Sequence, residues 1–309
     1  MNLKGRDIIE ITDLTKDEID YLFKLADKME TYSKSKCSLL EGKILALLFF
    51  EPSTRTKLSF EAAMIRLGGN VIGFSEPSTS SVMKGESLAD TVRVVENYSD
   101  AIVIRHPLEG SAKLAADFVE IPVINAGSGA LSHPTQALLD LYTIYREKGK
   151  IDGLKIAIVG DLKYGRTVHS LAYALTYYNV NLYLISPPQL CIRPEIIGDL
   201  KKIGNIEFSE HNELTNDILE EIDVLYITRI QKERFLDPSE YQKVKNTYKI
   251  TFETVKKCNP QVIIMHPLPR TDELDYSVDL TPNAKYFLQT YYGLLIRMAL
   301  LFAILGDSL

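Results

Sequence analysis

Several short stretches of this chain concentrate residue types that bind anions, and most follow directly on an apolar run. Glu51-Pro52-Ser53-Thr54-Arg55-Thr56-Lys57 comes after the run Ile44 to Phe50 and before a helical pattern from Lys57 to Leu67. Hydroxyls, a guanidinium and the unsatisfied N–H groups of a helix start therefore meet at one point, which is the chemistry of a phosphate cradle. A helix cap by itself asks for a single Ser or Thr. Arg105-His106-Pro107 closes a later apolar run, and Ser132-His133-Pro134-Thr135-Gln136 opens a long helical pattern, adding a second guanidinium and an imidazole. Taken singly each is ordinary, since a strand-end Arg forms surface ion pairs and a His beside a Pro packs in loops. Their coincidence is what points to a site.

The second half repeats the theme. Gly160-Asp161-Leu162-Lys163-Tyr164-Gly165-Arg166-Thr167 follows an apolar run and opens a helix, close to the G-x-x-x-x-G-K-[ST] loop of nucleotide-binding proteins but with Arg166 in place of Lys. A guanidinium suits bidentate contact with a carboxylate or phosphate and does not simply replace an ammonium, and no later strand ends in the Asp that would hold magnesium. The G-x-G-x-x-G spacing of dinucleotide sites is lacking too. A second anion site is the expectation. Arg229-Ile230-Gln231 and His266-Pro267-Leu268-Pro269-Arg270 each stand just past a further apolar run, with two prolines stiffening the latter loop.

In open parallel sheets ligands bind beyond the carboxyl ends of strands, so alternating strands and helices must position these residues. Thr15-Lys16-Asp17-Glu18 forms a capping box, and Ile19, Leu22, Phe23, Ala26 and Met29 follow on one face, so a first helix starts near Asp17. Strands are expected at Ile44 to Phe50, Val71 to Ser75, Ala101 to Arg105 and Pro122 to Asn125, with helices at Lys57 to Leu67, Leu88 to Tyr98 and Ala112 to Val119. A long helix from Thr135 to Lys148 ends at Gly149. A second series of strands follows at Lys155 to Val159, Leu182 to Ile185, Ile206 to Ser209, Val224 to Thr228 and Val262 to His266, and a closing helix at Tyr291 to Leu305. Two α/β domains of about 140 residues explain 309 residues better than one sheet of nine strands.

Composition excludes other classes. Hydrophobic residues at 46% and charged residues at 25% are globular averages, not those of a disordered or collagen-like chain. The run Gly293 to Leu305, 13 residues broken by Arg297, is shorter than the ~20 a membrane span needs and reads as a buried helix. A net charge of -6 and no basic stretch interleaved with aromatics argue against nucleic acid. Cys37, Cys191 and Cys258 are few and far apart, with no zinc spacing and no disulfide framework, and the N-terminus lacks a signal-peptide core, so a reducing cytoplasm fits.

With these motifs in place, the chain resembles the aspartate and ornithine carbamoyltransferase family. Ser53-Thr54-Arg55-Thr56 is similar to the family's carbamoyl phosphate motif and His133-Pro134-Thr135-Gln136 to its second signature, in the same order along nearly the whole chain. His266-Pro267-Leu268-Pro269-Arg270 and Lys84-Gly85-Glu86-Ser87 resemble the aspartate branch. Lys57 stands where Arg is common, with the charge kept. The resemblance implies two doubly wound parallel-sheet domains joined by long helices, with the active site in the crevice between them. Residues 1–147 would bind carbamoyl phosphate, with the helix at about 291–305 able to pack back on them, and residues 150–309 would bind aspartate.

The resemblance also implies roles. Ser53, Thr54, Arg55, Thr56, Arg105, His133, Gln136, Leu268 and Pro269 would bind carbamoyl phosphate. Lys84, Arg166, Thr167, Arg229, Gln231, Pro267 and Leu268 would bind aspartate, with Ser80 and Lys84 reaching in from a neighbouring chain of a homotrimer. Arg55, Thr56, Lys84, Arg105 and His133 would be catalytic, and Glu51 and Arg234 would pair on domain closure. Assembly with separate regulatory chains is left open. The implied reaction is carbamoyl transfer from carbamoyl phosphate to L-aspartate in pyrimidine synthesis.

That chemistry agrees with the residues. Two anionic substrates need several cations, and an acidic chain gathers Arg55, Lys84, Arg105, Arg166 and Arg229 for them. No Ser, Cys or Lys in the set has an adjacent base, so direct attack by a positioned amine is expected, with no metal or organic cofactor. A transcarbamoylase with another amine acceptor, or a non-catalytic dicarboxylate-binding or phosphate-binding module, would also need clustered Arg.

Overall fold

Thr15 starts the first helix, α1 (Lys16–Tyr32), by the reciprocal capping its sequence encodes: Glu18 N–H donates to Thr15 Oγ1 at 3.3 Å and Thr15 N–H to Glu18 Oε2 at 2.9 Å. Ile19, Leu22, Phe23, Ala26 and Met29 are buried along one face, the periodicity of an amphipathic helix. The computed structural model describes the chain apart from residues 1–2, 36, 76–84, 204–205, 233–234, 236, 246 and 308–309.

The chain divides into two compact units, Met1–Tyr142 with Tyr291–Leu309, and Thr143–Thr290. After α1 the first unit runs β1 (Ile44–Phe49), α2 (Thr54–Arg66), β2 (Asn70–Phe74), α3 (Leu88–Glu96), β3 (Ala101–His106), α4 (Ser111–Ala116) and β4 (Val123–Ser128), then enters α5 (Pro134–Lys148). Its sheet is parallel throughout, in the order β2-β1-β3-β4. β1, β3 and β4 are buried along most of their length, as near-continuous apolar runs covered by helices on both faces should be. Ala46, Leu48, Ile102, Ile104 and Val123 form a core with Val92 of α3 and Ala112 and Ala115 of α4.

The second unit runs β5 (Lys155–Val159), α6 (Arg166–Leu175), β6 (Asn181–Ile185), α7 (Pro194–Ile203), β7 (Glu207–His211), α8 (Asn216–Glu221), β8 (Val224–Ile227), α9 (Pro238–Val244), α10 (Phe252–Val255) and β9 (Ile263–Met265). These strands form a second parallel sheet, β7-β6-β5-β8-β9. Its core joins Val159, Leu225, Ile227 and Ile264 to Ile218, Leu219, Val255, Val278 and Tyr286. The chain returns to the first unit within α11 (Tyr286–Leu305).

Two helices start several residues earlier than the sequence suggests. α2 begins at Thr54 and not at Lys57, because the hydroxyl-rich residues that read as loop already form its first turn. α11 begins at Tyr286 and not at Tyr291, because the stretch ahead of the apolar run continues the same helix. At 20 residues and a mean hydropathy of 1.6, α11 is long and apolar enough to cross a bilayer. It packs in protein instead, with Leu295, Ile296, Met298, Ala299, Leu300 and Leu301 wholly buried.

Candidate active site

Each sheet has one strand at which the winding direction reverses. β1 lies between β2 and β3, and β5 between β6 and β8, so the loops after β1 and β5 stand at the positions where open parallel sheets bind ligands. The anion-binding motifs lie at these carboxyl edges. In the first unit they follow β1, β3 and β4, three adjacent strands, and in the second β5, β8 and β9, again adjacent.

In the first unit, Ser53 is the N-cap of α2, yet its side chain makes no capping bond, and no acidic residue stands in the first turn. Five other helices have filled caps, the side chains of Thr15, Ser87, Thr215, Asp237 and Thr251 accepting first-turn amides of α1, α3, α8, α9 and α10, whereas α4 starts from Gly110 without one. Unfilled amides, the positive end of the helix and the Arg55 and Thr56 side chains of the same turn together have the chemistry to bind an anion. Thr56 is buried at 8% exposure while Arg55 is exposed. Lys57 pairs with Glu61 one turn on, at 3.4 Å, so its charge is spent along the helix.

Arg105 stands opposite Phe49 in the β1/β3 register, which brings its guanidinium to the α2 loop. Its Nε donates to Glu51 Oε1 at 2.8 Å and its Nη1 to the Ala126 carbonyl at 3.3 Å, fixing the guanidinium between the ends of β1 and β4. His106, next along, ends β3 and holds the following loop: Leu108 N–H donates to its Nδ1 at 3.1 Å, and burial lowers its pKa. His133 (3% exposed) and Gln136 (8% exposed) open α5 around Pro134. His133 Nδ1 lies 3.4 Å from Thr135 Oγ1, and Gln136 Nε2 donates to Asp140 Oδ1 at 2.9 Å.

In the second unit, Gly160 takes φ 125°, and a Cβ there would lie 2.3 Å from the Thr228 carbonyl oxygen. Only Gly lets the loops after β5 and β8 approach so closely. They are also bonded together: Asp161 N–H donates to Thr228 Oγ1 at 3.1 Å, and Gln231 Nε2 to the Tyr164 carbonyl at 3.3 Å. Arg166 and Thr167 begin α6, whose N-cap, Gly165, offers no side chain and whose first turn holds no acid. This is the arrangement of α2 repeated on the other sheet. Arg229 follows Thr228, half-buried, on the loop so joined.

The loop after β9 is held by its first residue. Leu268 N–H donates to His266 Nδ1 at 2.8 Å, so that nitrogen is an acceptor and the proton sits on Nε2, directed at Glu273 Oε1 2.9 Å away. His266 N–H in turn donates to Gln289 Oε1 at 3.0 Å. Leu268 adopts φ 55°, a conformation unusual for a branched side chain, and the clamp keeps it there. Burial alone would raise the Glu273 carboxyl, but hydrogen bonds from His266 and from the hydroxyl and amide of Thr271 bring it down to about 2. Arg270 pairs with Asp279 and stacks on Tyr276 at 4.2 Å, which is a structural engagement.

The structure therefore gathers Ser53, Thr54, Arg55, Thr56, Arg105, His133 and Gln136 on one sheet edge and Arg166, Thr167, Arg229, Gln231, Pro267, Leu268 and Pro269 on the other. Ser80, Lys84 and Arg234 lie outside the described residues. Sequence reasoning passed over Asp140, Glu273 and Gln289. The i, i+4 spacing of Gln136 and Asp140 was a local signal for the first, whereas the partners of His266 are brought in by the fold.

Cations and uncapped helix starts on the carboxyl edges of two parallel sheets define an α/β enzyme of anionic substrates. Residues 6–146 match the model of the aspartate/ornithine carbamoyltransferase carbamoyl-P binding domain, and residues 152–304 that of its Asp/Orn binding domain. The aspartate carbamoyltransferase catalytic subunit of Methanothrix thermoacetophila is 56% identical over 306 residues, covering 99% of this chain and 100% of its own. That of Methanocaldococcus jannaschii is 57% identical over 304 residues, covering 97% and 98%. The crystal structure of Trypanosoma cruzi aspartate transcarbamoylase in complex with carbamoyl phosphate and aspartate superposes with a TM-score of 0.95 at 40% identity, covering 98% of each chain. The chain belongs to the aspartate/ornithine carbamoyltransferase family.

Proposed function

We propose that the first unit's site holds carbamoyl phosphate and the second unit's site holds L-aspartate. The chain is a carbamoyltransferase that moves the carbamoyl group of carbamoyl phosphate to the amine of L-aspartate, giving N-carbamoyl-L-aspartate and phosphate in pyrimidine biosynthesis. The observation that carries the division of labour is the uncapped start of α2, with Arg55 and Thr56 in its first turn and Arg105 at the neighbouring strand end. A phosphate with Ser53, Thr54, Arg55 and Thr56 around it satisfies amides that no side chain caps. The carbamoyl group then faces Thr56, Arg105 and His133, whose donors stabilise the oxyanion formed on attack. Gln136 and the Leu268-Pro269 backbone complete its contacts.

Arg166, Thr167, Arg229 and Gln231 hold the two carboxylates of aspartate, for which planar guanidinium forks are suited. The Pro267 and Leu268 carbonyls orient its amine. Attack forms a tetrahedral centre, the carbon–oxygen bond to phosphate breaks, and the departing phosphate takes the amine proton, so no protein base is needed. Ser80 and Lys84 act from the neighbouring chain of a homotrimer, Glu51 and Arg234 pair on closure, and the cytoplasm is the compartment. Regulatory chains would add to this assembly without altering the chemistry.

Two substitutions test the division. Arg55→Ala is expected to lose roughly 2–4 kcal/mol of transition-state stabilisation through carbamoyl phosphate, with thermal stability retained. Arg229→Ala is expected to raise the aspartate KM while carbamoyl phosphate affinity, measured alone, stays within about twofold. The reverse pattern would overturn the assignment.

A further inference from the structure

Arg297 is the one charged residue in the apolar run Gly293 to Leu305, and it is buried at 4% exposure. Buried charges are costly, and a core position of this kind is ordinarily filled by an apolar residue of similar volume. The structure makes room for it: a Cβ on Gly293, one turn earlier, would lie 2.8 Å from Arg297 Nη1. That nitrogen donates to Ser59 Oγ at 3.0 Å, and the guanidinium lies 5.1 Å from the centre of the Phe60 ring, both partners standing on α2. Burial lowers the guanidinium to about 10, opposed by the attraction of Asp140, so it keeps its charge at neutral pH. Asp140 is wholly buried and accepts from Gln136 Nε2 at 2.9 Å. The carboxylate bonded to Gln136 thus lies within the electrostatic reach of a buried cation.

We infer that Asp140 is a positioning residue that sets which way the Gln136 carboxamide faces and so makes the site select an amide-bearing acyl phosphate. An ionised carboxylate only accepts hydrogen bonds, so the Gln136 atom turned to Asp140 must be its NH2. The carbonyl oxygen, on the other branch of the planar carboxamide, is then the group left for the ligand. An acceptor there matches the N–H of a carbamoyl group and offers nothing to the methyl of acetyl phosphate. A carboxamide free to flip would set NH2 against NH2 and lose the discrimination. This rests on the reading that Gln136 meets the carbamoyl group, and it goes further by naming what orients it. Sites built to bond an N–H reject analogues lacking it far more strongly than apolar sites reject isosteres.

The test is the ratio of dissociation constants for acetyl phosphate and carbamoyl phosphate, with inorganic phosphate as the control for the cradle. The unmodified chain should prefer carbamoyl phosphate at least about tenfold, and equal affinities would overturn the proposal with no variant needed. Asp140→Asn should weaken carbamoyl phosphate about tenfold, leave acetyl phosphate and phosphate within about twofold, and so collapse the ratio. Because that variant strands the Arg297 charge, Asp140→Asn combined with Arg297→Gln removes both charges together and should show the same collapse. An unchanged ratio in either folded variant would refute the orienting role. Gln136→Ala separates the two layers: if it leaves carbamoyl phosphate affinity intact, the underlying reading of Gln136 is the one that fails.

Discussion

At the scale of single residues, the candidate site residues are held by bonds to their neighbours. Glu51 and the Ala126 carbonyl hold Arg105, and His266 holds the Leu268 amide. Glu273 is the base of the second clamp, and its depressed carboxyl ties that clamp to stability. Its ordinary value of 4.5 falls to about 2 in the folded chain, so folding is favoured by the ionised form above about pH 4.5, and that gain is lost as pH falls toward 2. Glu273→Gln, which keeps the shape and removes the charge, should therefore lower unfolding free energy at pH 7 by about 3 kcal/mol. The gap should close as the pH is lowered from 4.5 to 2 in denaturant titrations. A gap independent of pH would mean that the charge is not what the clamp uses.

At the scale of elements, the two sheets reuse one device, a switch strand feeding a helix whose first turn carries Arg and lacks a side-chain cap. Gly160 makes the second copy possible. Gly160→Ala should cost roughly 1–3 kcal/mol of strain and raise the aspartate KM as the β5 and β8 loops part, with carbamoyl phosphate affinity unmoved. Unchanged aspartate kinetics in a folded variant would show that the close approach is not needed. Much of this level was legible in sequence, because parallel strands buried on both faces read as unbroken apolar runs and Thr15 with Glu18 announces a helix start. The helices α8 to α10, of four to seven residues, have too few turns to show a period, although Thr215, Asp237 and Thr251 cap them, and α7, at 10 residues, is also absent from the sequence reading. The start of α2 lies earlier than its sequence suggests because its first turn carries hydroxyls and no side-chain cap, so the usual start signal is missing. The attraction between Asp140 and Arg297 joins residues far apart in the chain, and no local pattern encodes it.

At the scale of the whole molecule, the chain leaves the first unit within α5 and returns within α11, so continuous helix links the two units in both directions. A homotrimer in which Lys84 serves its neighbour makes a quantitative prediction. Mixing Lys84→Ala and Arg55→Ala chains in equal amounts, with dissociation and reassociation, makes about three quarters of trimers hybrid, each with one intact site in three. Activity should return to about a quarter of the unmodified level, and proven hybrids as inactive as their parents would exclude the shared site. The most direct measurement of the central claim is the product itself. Purified chain supplied with carbamoyl phosphate and, in parallel, L-aspartate or L-ornithine should release phosphate and N-carbamoyl-L-aspartate in equal amounts with aspartate and form no carbamoylated product with ornithine. Carbamoylation of ornithine in preference to aspartate, or phosphate release without a carbamoylated amine, would contradict it.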